Sequence, residues 1–175
     1  MSETSPNEQE PRVEIAEYSD EYKEKVKDLI FDVYEKERGR HSTTDRPDLN
    51  QIKEIYQDDN GNFWVALKEG RVIGTIGLIN QGKDKASMHR FCVKKEFRGR
   101  EKGVSAKLYS AFLEFAVNRG YKKIFLGTTS DAEAAIKFYE RNGFVKIDFA
   151  PEDLAKRLYL TRDHIFYELD LEEEK

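Results

Sequence analysis

The chain has little cysteine or histidine and no long apolar segment. Its 175 residues contain one cysteine, Cys92, and three histidines, which lie far apart. A single thiol excludes an internal disulfide, and the histidines lack metal-ligand spacing, so neither a disulfide scaffold nor a metal cofactor is expected. No apolar run reaches the roughly 20 residues that cross a bilayer, and residues 1–11 lack the apolar stretch of a secretion signal. These absences predict a cytosolic protein that does not bind membranes.

The composition favours one globular domain between two polar tails. Hydrophobic residues make up 38% of the chain and aromatic residues 12%, which is enough for one buried core. We place the domain at residues 12–170, after a disordered tail at 1–11 and before an acidic tail at 171–175. A homodimer is left open by the sequence.

Charge is unevenly distributed, although the net charge is only −4. Residues 94–107 hold six basic side chains against two glutamates, a local balance of +4. A charged run is usually a solvated surface, and a nucleic-acid patch is another interpretation. The run is expected to lack exposed aromatic residues that would stack on bases, and it coincides with a predicted helix start. We therefore interpret it as a phosphate-binding region and expect no nucleic-acid partner.

Hydrophobic periodicity predicts the element order β-α-α-β-β-β-α-β-α-β-β. This order is that of an α/β (α+β) sandwich with a mixed, largely antiparallel sheet of about seven strands and about four helices. The predicted strands cover 13–18, 63–67, 72–79, 88–93, 122–126, 144–149 and 163–169. The first predicted helix starts at residue 19 or 20 and ends at Gly39. The other three predicted helices cover about 49–56, 103–119 and 130–143.

The segment Arg100–Ser105 lies where the buried strand Met88–Val93 leads into a helix. The first N–H groups of a helix have no partner within it and lie at the positive end of its dipole, so they bind phosphate well. Gly103 allows a close approach of backbone and ligand, and Ser105 adds a small hydroxyl. The segment predicts a site for a pyrophosphate.

Three segments resemble motifs of the GNAT superfamily of N-acetyltransferases. Arg100-x-x-Gly103-x-Ser105 is similar to motif A, Q/R-x-x-G-x-G/A, although Ser105 stands where Gly or Ala is usual and the interval after Val93 is about two residues longer. Ala134–Phe144 resembles motif B, with Ala132 where an Asn is common, and Val72–Leu78 resembles the strand before the cofactor-binding strand. The resemblance covers residues 12–170. It implies the GNAT fold and transfer of an acetyl group from acetyl-coenzyme A to a primary amine.

The resemblance also implies site residues. The backbone of Phe91, Cys92 and Val93 would hold pantetheine like an added strand and polarise the thioester carbonyl. Tyr139 would protonate the leaving thiolate, since a phenol with a pKa near about 10 carries its proton at neutral pH. Residues around the pyrophosphate would be Arg98, Arg100, Lys102, Gly103, Val104 and Ser105. The plain alternatives are an ordinary core strand and a tyrosine packed at the sheet edge.

The general base and the acceptor remain open. Residues 86–90 carry no carboxylate where some GNAT members have Glu, so His89 or water would remove the amine proton, and His89 is equally an ordinary hydrogen-bonded strand histidine. Cys92 is interpreted as a small core residue. The acceptor is expected near residues 31–56 and 149–163. Carboxylates beside aromatic rings there either hold a cationic amine or form plain helix surface: Tyr34, Glu35, Glu37, Asp45, Asp48 and Tyr56.

A second function remains open on the same fold. A non-catalytic acyl-coenzyme A sensor or interaction module would also bind the cofactor, because a fold does not by itself determine function. The missing strand carboxylate favours this alternative, whereas Tyr139 favours the enzyme.

Overall fold

A computed structural model of the chain describes residues 12–37, 47–156 and 165–173. Seven strands form one sheet in the order β1-β2-β3-β4-β5-β7-β6. All neighbouring strands are antiparallel except β4 and β5, which are parallel. The predicted mixed, largely antiparallel sheet is confirmed. The strands are β1 (Glu14–Glu17), β2 (Asn62–Lys68), β3 (Arg71–Gly82), β4 (Lys85–Val93), β5 (Lys123–Thr128), β6 (Val145–Ile147) and β7 (Ile165–Asp170).

Four α-helices are described together with shorter helical turns. They are α1 (Lys23–Phe31), α2 (Pro47–Asn50), α3 (Val104–Asn118) and α4 (Glu133–Arg141). A 3-10 turn precedes α1, π-helical turns cover Asp32–Glu37 and Lys53–Gln57, and a further 3-10 turn at Leu171–Glu173 occupies the start of the predicted acidic tail. The predicted end of the first helix, Gly39, lies outside the described residues.

The prediction of one continuous helix over 49–56 is wrong. Helix α2 ends at Asn50, and a π-helical turn follows from Lys53. Across this interrupted segment, the Tyr56 hydroxyl donates a buried hydrogen bond to Asp48 Oδ2 at 2.8 Å.

Helices cover the sheet on both faces, which explains why β3 reads as a nearly continuous apolar run. On one face, α3 packs Leu108 and Phe112 against Trp64 and Ile76. On the other face, α1 and the π-helical turn that contains Tyr56 pack against Phe63 and Ile79. No helix among the described residues is long and apolar enough to cross a membrane. The cytosolic location stays a prediction.

Strands β4 and β5 pair over a short stretch and then diverge. The parallel register runs from Lys85–Lys123 to Ser87–Phe125. Beyond Ser87, the side of β4 that faces β5 has no strand partner among the described pairings, and a cavity begins there. The divergence leaves the end of β4 accessible to a ligand.

A β-bulge lies in β4 at the same level. Thr75 pairs with Cys92 and Gly77 with His89, so two residues of β4, Arg90 and Phe91, lie opposite one residue of β3. Arg90 has a φ of 53°, a left-handed conformation that is uncommon for a residue with a side chain. Its carbonyl oxygen accepts a hydrogen bond of 2.7 Å from Thr75 Oγ1. The Thr75 side chain therefore stabilises the bulge.

Candidate functional site

A cavity of about 780 Å³ lies between the end of β4, residues 103–113 at and after the start of α3, and residues 131–142 along α4. Its walls join the strand, the turn after it and both helices. The structure brings together seven of the ten predicted site residues in its lining: Phe91, Cys92, Val93, Arg98, Arg100, Gly103 and Ser105. The end of β4 therefore forms one part of the cavity, and the start of α3 with Arg98 and Arg100 forms another.

The start of α3 leaves backbone N–H groups without helical acceptors. The first bond of α3 runs from the Lys107 N–H to the Gly103 carbonyl at 3.0 Å, so the N–H groups of residues 104–106 have no acceptor within the helix. Gly103 has a φ of 69°, and a Cβ added there would meet nothing within 4 Å. The open space beside these N–H groups and the adjoining Arg98 and Arg100 fit a phosphate.

The longer interval before the motif is accommodated by a tight turn. The N–H groups of Lys102 and Gly103 both donate to the Gly99 carbonyl, at 3.1 and 3.3 Å. Arg98 Nε donates to the Val93 carbonyl at 2.8 Å and so ties the turn to the end of β4. Although the interval after Val93 is two residues longer, the start of α3 still lines the cavity.

Three predicted site residues do not line the cavity. Lys102 Nζ bonds the Glu96 carbonyl at 2.6 Å, which directs its charge elsewhere. Val104 is 1% exposed because its side chain packs in the core below α3. Tyr139 is buried among aromatic rings, and its centroid lies 6.2 Å from that of Phe91, which does line the cavity. The acid role of Tyr139 stays a prediction.

A buried ion pair lies beside the β4 bulge. Arg90 Nη2 donates to Asp48 Oδ1 at 2.7 Å, and Arg90 Nε donates to Oδ2 at 2.9 Å. Burial alone would raise the pKa of Asp48, but the Arg90 guanidinium and the Tyr56 hydroxyl hold it below its usual value. Asp48 and Tyr56 are thus neither helix surface nor available to a cationic amine. Asp45 and the side chain of Glu37 lie outside the described part of the chain.

Comparison with known proteins identifies the family of the chain. The model of the Acetyltransferase (GNAT) family matches residues 23–144. The chain belongs to this family. The predicted GNAT fold is confirmed by a GNAT acetyltransferase structure from Staphylococcus aureus Mu50, which superposes with a TM-score of 0.83 at 28% identity and covers 91% of this chain and 99% of that one.

Several curated relatives of this GNAT chain are named N-acetylaspartate synthetase. The Xenopus tropicalis protein is 33% identical over 139 residues, 74% of this chain and 51% of the relative. The human protein is 34% identical over 137 residues, 73% of this chain and 45% of the relative. The chain therefore spans about half the length of these relatives. A GNAT structure with 17% identity, from Thermoplasma acidophilum in complex with coenzyme A, shares the fold with a TM-score of 0.69 over 91% of this chain and 99% of that one.

His89, the GNAT base candidate, is held in a hydrogen-bonded chain. Gln81 Nε2 donates to Ser87 Oγ at 2.8 Å, and Ser87 Oγ lies 2.6 Å from His89 Nε2. Ser87 Oγ therefore contacts both Gln81 and His89. Burial lowers the pKa of His89 to about 4, although Asp48 partly opposes this shift. His89 is thus neutral at pH 7 with Nε2 occupied, as in the plain alternative, and water is the better candidate for the base.

The lowered pKa of His89 predicts that the stability of the protein depends on pH. The unfolded state binds a proton on His89 near pH 6.5 and the folded state near pH 4, so unfolding takes up a proton between these values. The free energy of unfolding is expected to fall by up to about 3 kcal/mol as the pH drops from 6.5 to 4. Urea unfolding of the wild type and His89→Gln over this range measures the difference. Equal pH slopes for the two proteins would contradict the prediction, since the contribution of Asp48 is lost only below its ordinary pKa.

Other cavity residues were not predicted from the sequence. Tyr109 lies one turn after Ser105 on α3, Phe138 lies one turn after Ala134 on α4, and Asn142 directly follows the end of α4; all three line the cavity. Helical spacing from the motif positions is the signal that would have found them. The Asp48–Arg90 pair has no comparable signal, because its members are 42 residues apart.

Proposed function

We propose that this GNAT chain transfers the acetyl group of acetyl-coenzyme A to a primary amine of a small molecule or peptide. The observation that carries the proposal is the cavity whose two ends match the two parts of coenzyme A. The end of β4, which has left β5, offers backbone groups to the amide-containing pantetheine arm. The start of α3 with Arg98 and Arg100 offers N–H groups and positive charge to the pyrophosphate.

In the proposed reaction, the neutral amine attacks the thioester carbonyl carbon. The C–N bond forms, the C–S bond breaks, and the nitrogen loses a proton while the thiolate gains one. Backbone N–H groups near Phe91 would stabilise negative charge on the carbonyl oxygen. We assign protonation of the thiolate to Tyr139 and removal of the amine proton to water.

The names of the relatives suggest the first acceptor to test. Several are named N-acetylaspartate synthetase, so aspartate heads the panel. The panel also contains other amino acids, polyamines, aminoglycosides and peptides with free N-termini.

Coenzyme A is expected to stabilise the protein against heat. A ligand that binds only the folded state adds about 2.7 kcal/mol at one hundred times its dissociation constant, which a thermal melt resolves. Pantetheine, which lacks the phosphates, is the control and is expected to give a smaller shift at the same concentration. The absence of a shift at millimolar coenzyme A would overturn the proposal.

The non-catalytic acyl-coenzyme A module is the second candidate. Two observations favour it: the described β4 segment has no carboxylate at 86–90, and Tyr139 does not line the cavity. The release of coenzyme A thiol from acetyl-coenzyme A in the presence of the amine panel separates the two functions. Thermal stabilisation by coenzyme A without thiol release from any amine would favour the module.

A further inference from the structure

The bulge in β4 lies where the strand has few strand partners. Pairing with β5 reaches only as far as Ser87, and pairing with β3 is interrupted at Arg90 and Phe91. The extra residue of a bulge is left out of the hydrogen-bond ladder. Phe91 lines the cavity. Backbone groups that the sheet does not use thus lie next to the cavity.

The bulge depends on an uncommon backbone conformation at Arg90. Its φ of 53° is left-handed, a region in which the Cβ of an L-residue crowds the backbone. Glycine adopts this region without that cost. A residue with a side chain keeps such a conformation only where its surroundings enforce it, and residues of this kind are concentrated at active sites. The contacts of Arg90 therefore decide whether the bulge keeps its shape.

Arg90 is held both by its backbone and by its side chain. Thr75 Oγ1, on β3, donates to the Arg90 carbonyl oxygen at 2.7 Å, and Thr75 is fully buried. Asp48 accepts two bonds from the guanidinium, from Nη2 at 2.7 Å and from Nε at 2.9 Å. Tyr56 donates a third bond to Asp48, and the Tyr34 ring lies 5.3 Å from the guanidinium carbon. Two elements outside β4, the strand β3 and the helix α2, thus hold the bulge.

The Asp48–Arg90 pair fixes a geometry more than it adds stability. The two side chains are only 5% and 15% exposed, and the cost of taking charges out of water offsets most of their attraction. A two-bonded arginine–carboxylate pair, however, strongly restricts the relative orientation of the two groups. Its members are 42 residues apart, so β4 takes its local shape from a distant segment of the chain. Directional bonds of this kind suit a residue whose backbone must keep one conformation.

We propose that Asp48 and Thr75 are positioning residues for acetyl transfer. By holding Arg90 in its left-handed conformation, they fix the direction of the backbone N–H groups near Phe91 that would polarise the thioester carbonyl. This inference rests on the proposed function and names what sets its geometry. Neither residue lines the cavity, so both act through the backbone of β4 rather than on the reacting atoms. A misplacement of about 1 Å at the reacting carbonyl can cost about 100-fold in rate, so the shape of the bulge controls turnover.

The test follows the thioester carbonyl directly. Acetyl-coenzyme A that is isotopically labelled at the acetyl carbonyl is bound to the protein, and the infrared stretch of this carbonyl is compared with its value in solution. Aligned backbone N–H donors polarise the carbonyl, so the wild type should shift the stretch to lower frequency. Thr75→Val keeps the shape of the side chain without its hydroxyl and should lose most of this shift, whereas Thr75→Ser keeps the hydroxyl and should retain the shift.

Turnover gives a second measurement of the same effect. With an acceptor identified by thiol release, kcat of Thr75→Val should fall by about 10- to 100-fold, and Thr75→Ser should restore it to within a few-fold of the wild type. The dissociation constant of coenzyme A should change little, because the proposed phosphate contacts lie at the start of α3. A merely structural role would not separate kcat from cofactor binding in this way.

Two double variants test the ion pair, because the removal of one charge alone leaves the other buried and unpaired and endangers the fold. Asp48→Asn with Arg90→Gly removes both charges and supplies a residue that adopts the left-handed conformation freely. Asp48→Asn with Arg90→Gln also removes both charges but leaves a side chain at the crowded position. If the pair holds the conformation, the glycine variant should keep more of the carbonyl shift and of kcat than the glutamine variant.

A purely stabilising pair predicts the reverse order, since glycine removes more of the buried side chain. The reverse order, or equal losses in the two variants, would overturn the role of Asp48. The melting temperature of each variant is measured so that only folded proteins are compared.

Thr128→Val is the matched control. Thr128 is also a buried threonine on an inner strand, β5, but it lies outside the bulge and does not line the cavity. Its carbonyl shift and kcat should equal those of the wild type. A folded Thr75→Val variant with the wild-type carbonyl shift would overturn the inference, and so would a wild-type stretch that equals the value in solution although the cofactor is bound. Failure of coenzyme A to bind would instead overturn the proposed function itself.

Discussion

A Gly103→Glu variant is expected to lose stabilisation by coenzyme A. Gly103 lines the cavity at the start of α3, where the open space beside it is the proposed position of a phosphate. A carboxylate there would occupy the anion site and repel the pyrophosphate, so the dissociation constant of coenzyme A should rise by about 100-fold or more. Thermal melts and calorimetry with coenzyme A measure the loss.

Gly120→Glu supplies the matched control at the other end of the same helix. Gly120 also has a positive φ, 81°, and a Cβ there also meets nothing within 4 Å. Both variants therefore bear a similar backbone cost of about 1 kcal/mol, but only Gly103→Glu places a charge at the cavity. If both variants bind coenzyme A as the wild type does, the helix start does not hold the pyrophosphate.

Tyr139→Phe should uncouple cofactor binding from turnover. The substitution keeps the ring that packs against Phe91, Phe144 and Tyr167 but removes the proton proposed for the thiolate. Binding of acetyl-coenzyme A should survive while kcat falls by about 100-fold or more. The measurement uses saturating cofactor and an acceptor identified by thiol release, with the melting temperature checked for each variant.

Tyr167→Phe controls for the loss of a buried phenol in the same aromatic cluster. Its hydroxyl bonds Glu140 at 2.8 Å and does not line the cavity, so kcat should change little. An unchanged kcat in Tyr139→Phe would assign thiolate protonation to water or another group. Tyr139 would then be a packing residue, as its 6% exposure also permits.

The part of the site that could be predicted from the sequence is the part built from neighbouring residues. The end of β4, the turn after it and the start of α3 follow one another from Met88 to Ser105, so strand and helix periodicity place them together without knowledge of the tertiary fold. Seven of the predicted residues consequently line one cavity. The element order and the mixed sheet follow from the same local patterns, together with the GNAT resemblance.

Segments distant in sequence could not be placed in this way. Asp48 was predicted to be a surface carboxylate or an amine ligand, yet it is buried against Arg90 because α2 folds over the bulge in β4. The role of Tyr139 at the cofactor sulfur stays a prediction; its ring is buried beside Phe91 and Phe138, which line the cavity, whereas Tyr139 does not. Neither outcome is encoded in a residue type or a spacing.

The sequence by itself determined the fold class, the family motifs and the position of the α3 start that is proposed to bind phosphate, because periodicity and helix-terminus chemistry are local properties. Only the tertiary structure decided which charges neutralise each other, which histidine nitrogen is occupied and which tyrosine is buried. These outcomes depend on desolvation, and desolvation is set by the elements that pack over a side chain rather than by its neighbours in sequence. The burial of Arg90 against Asp48 arises in this way, from a bulge and a partner 42 residues away.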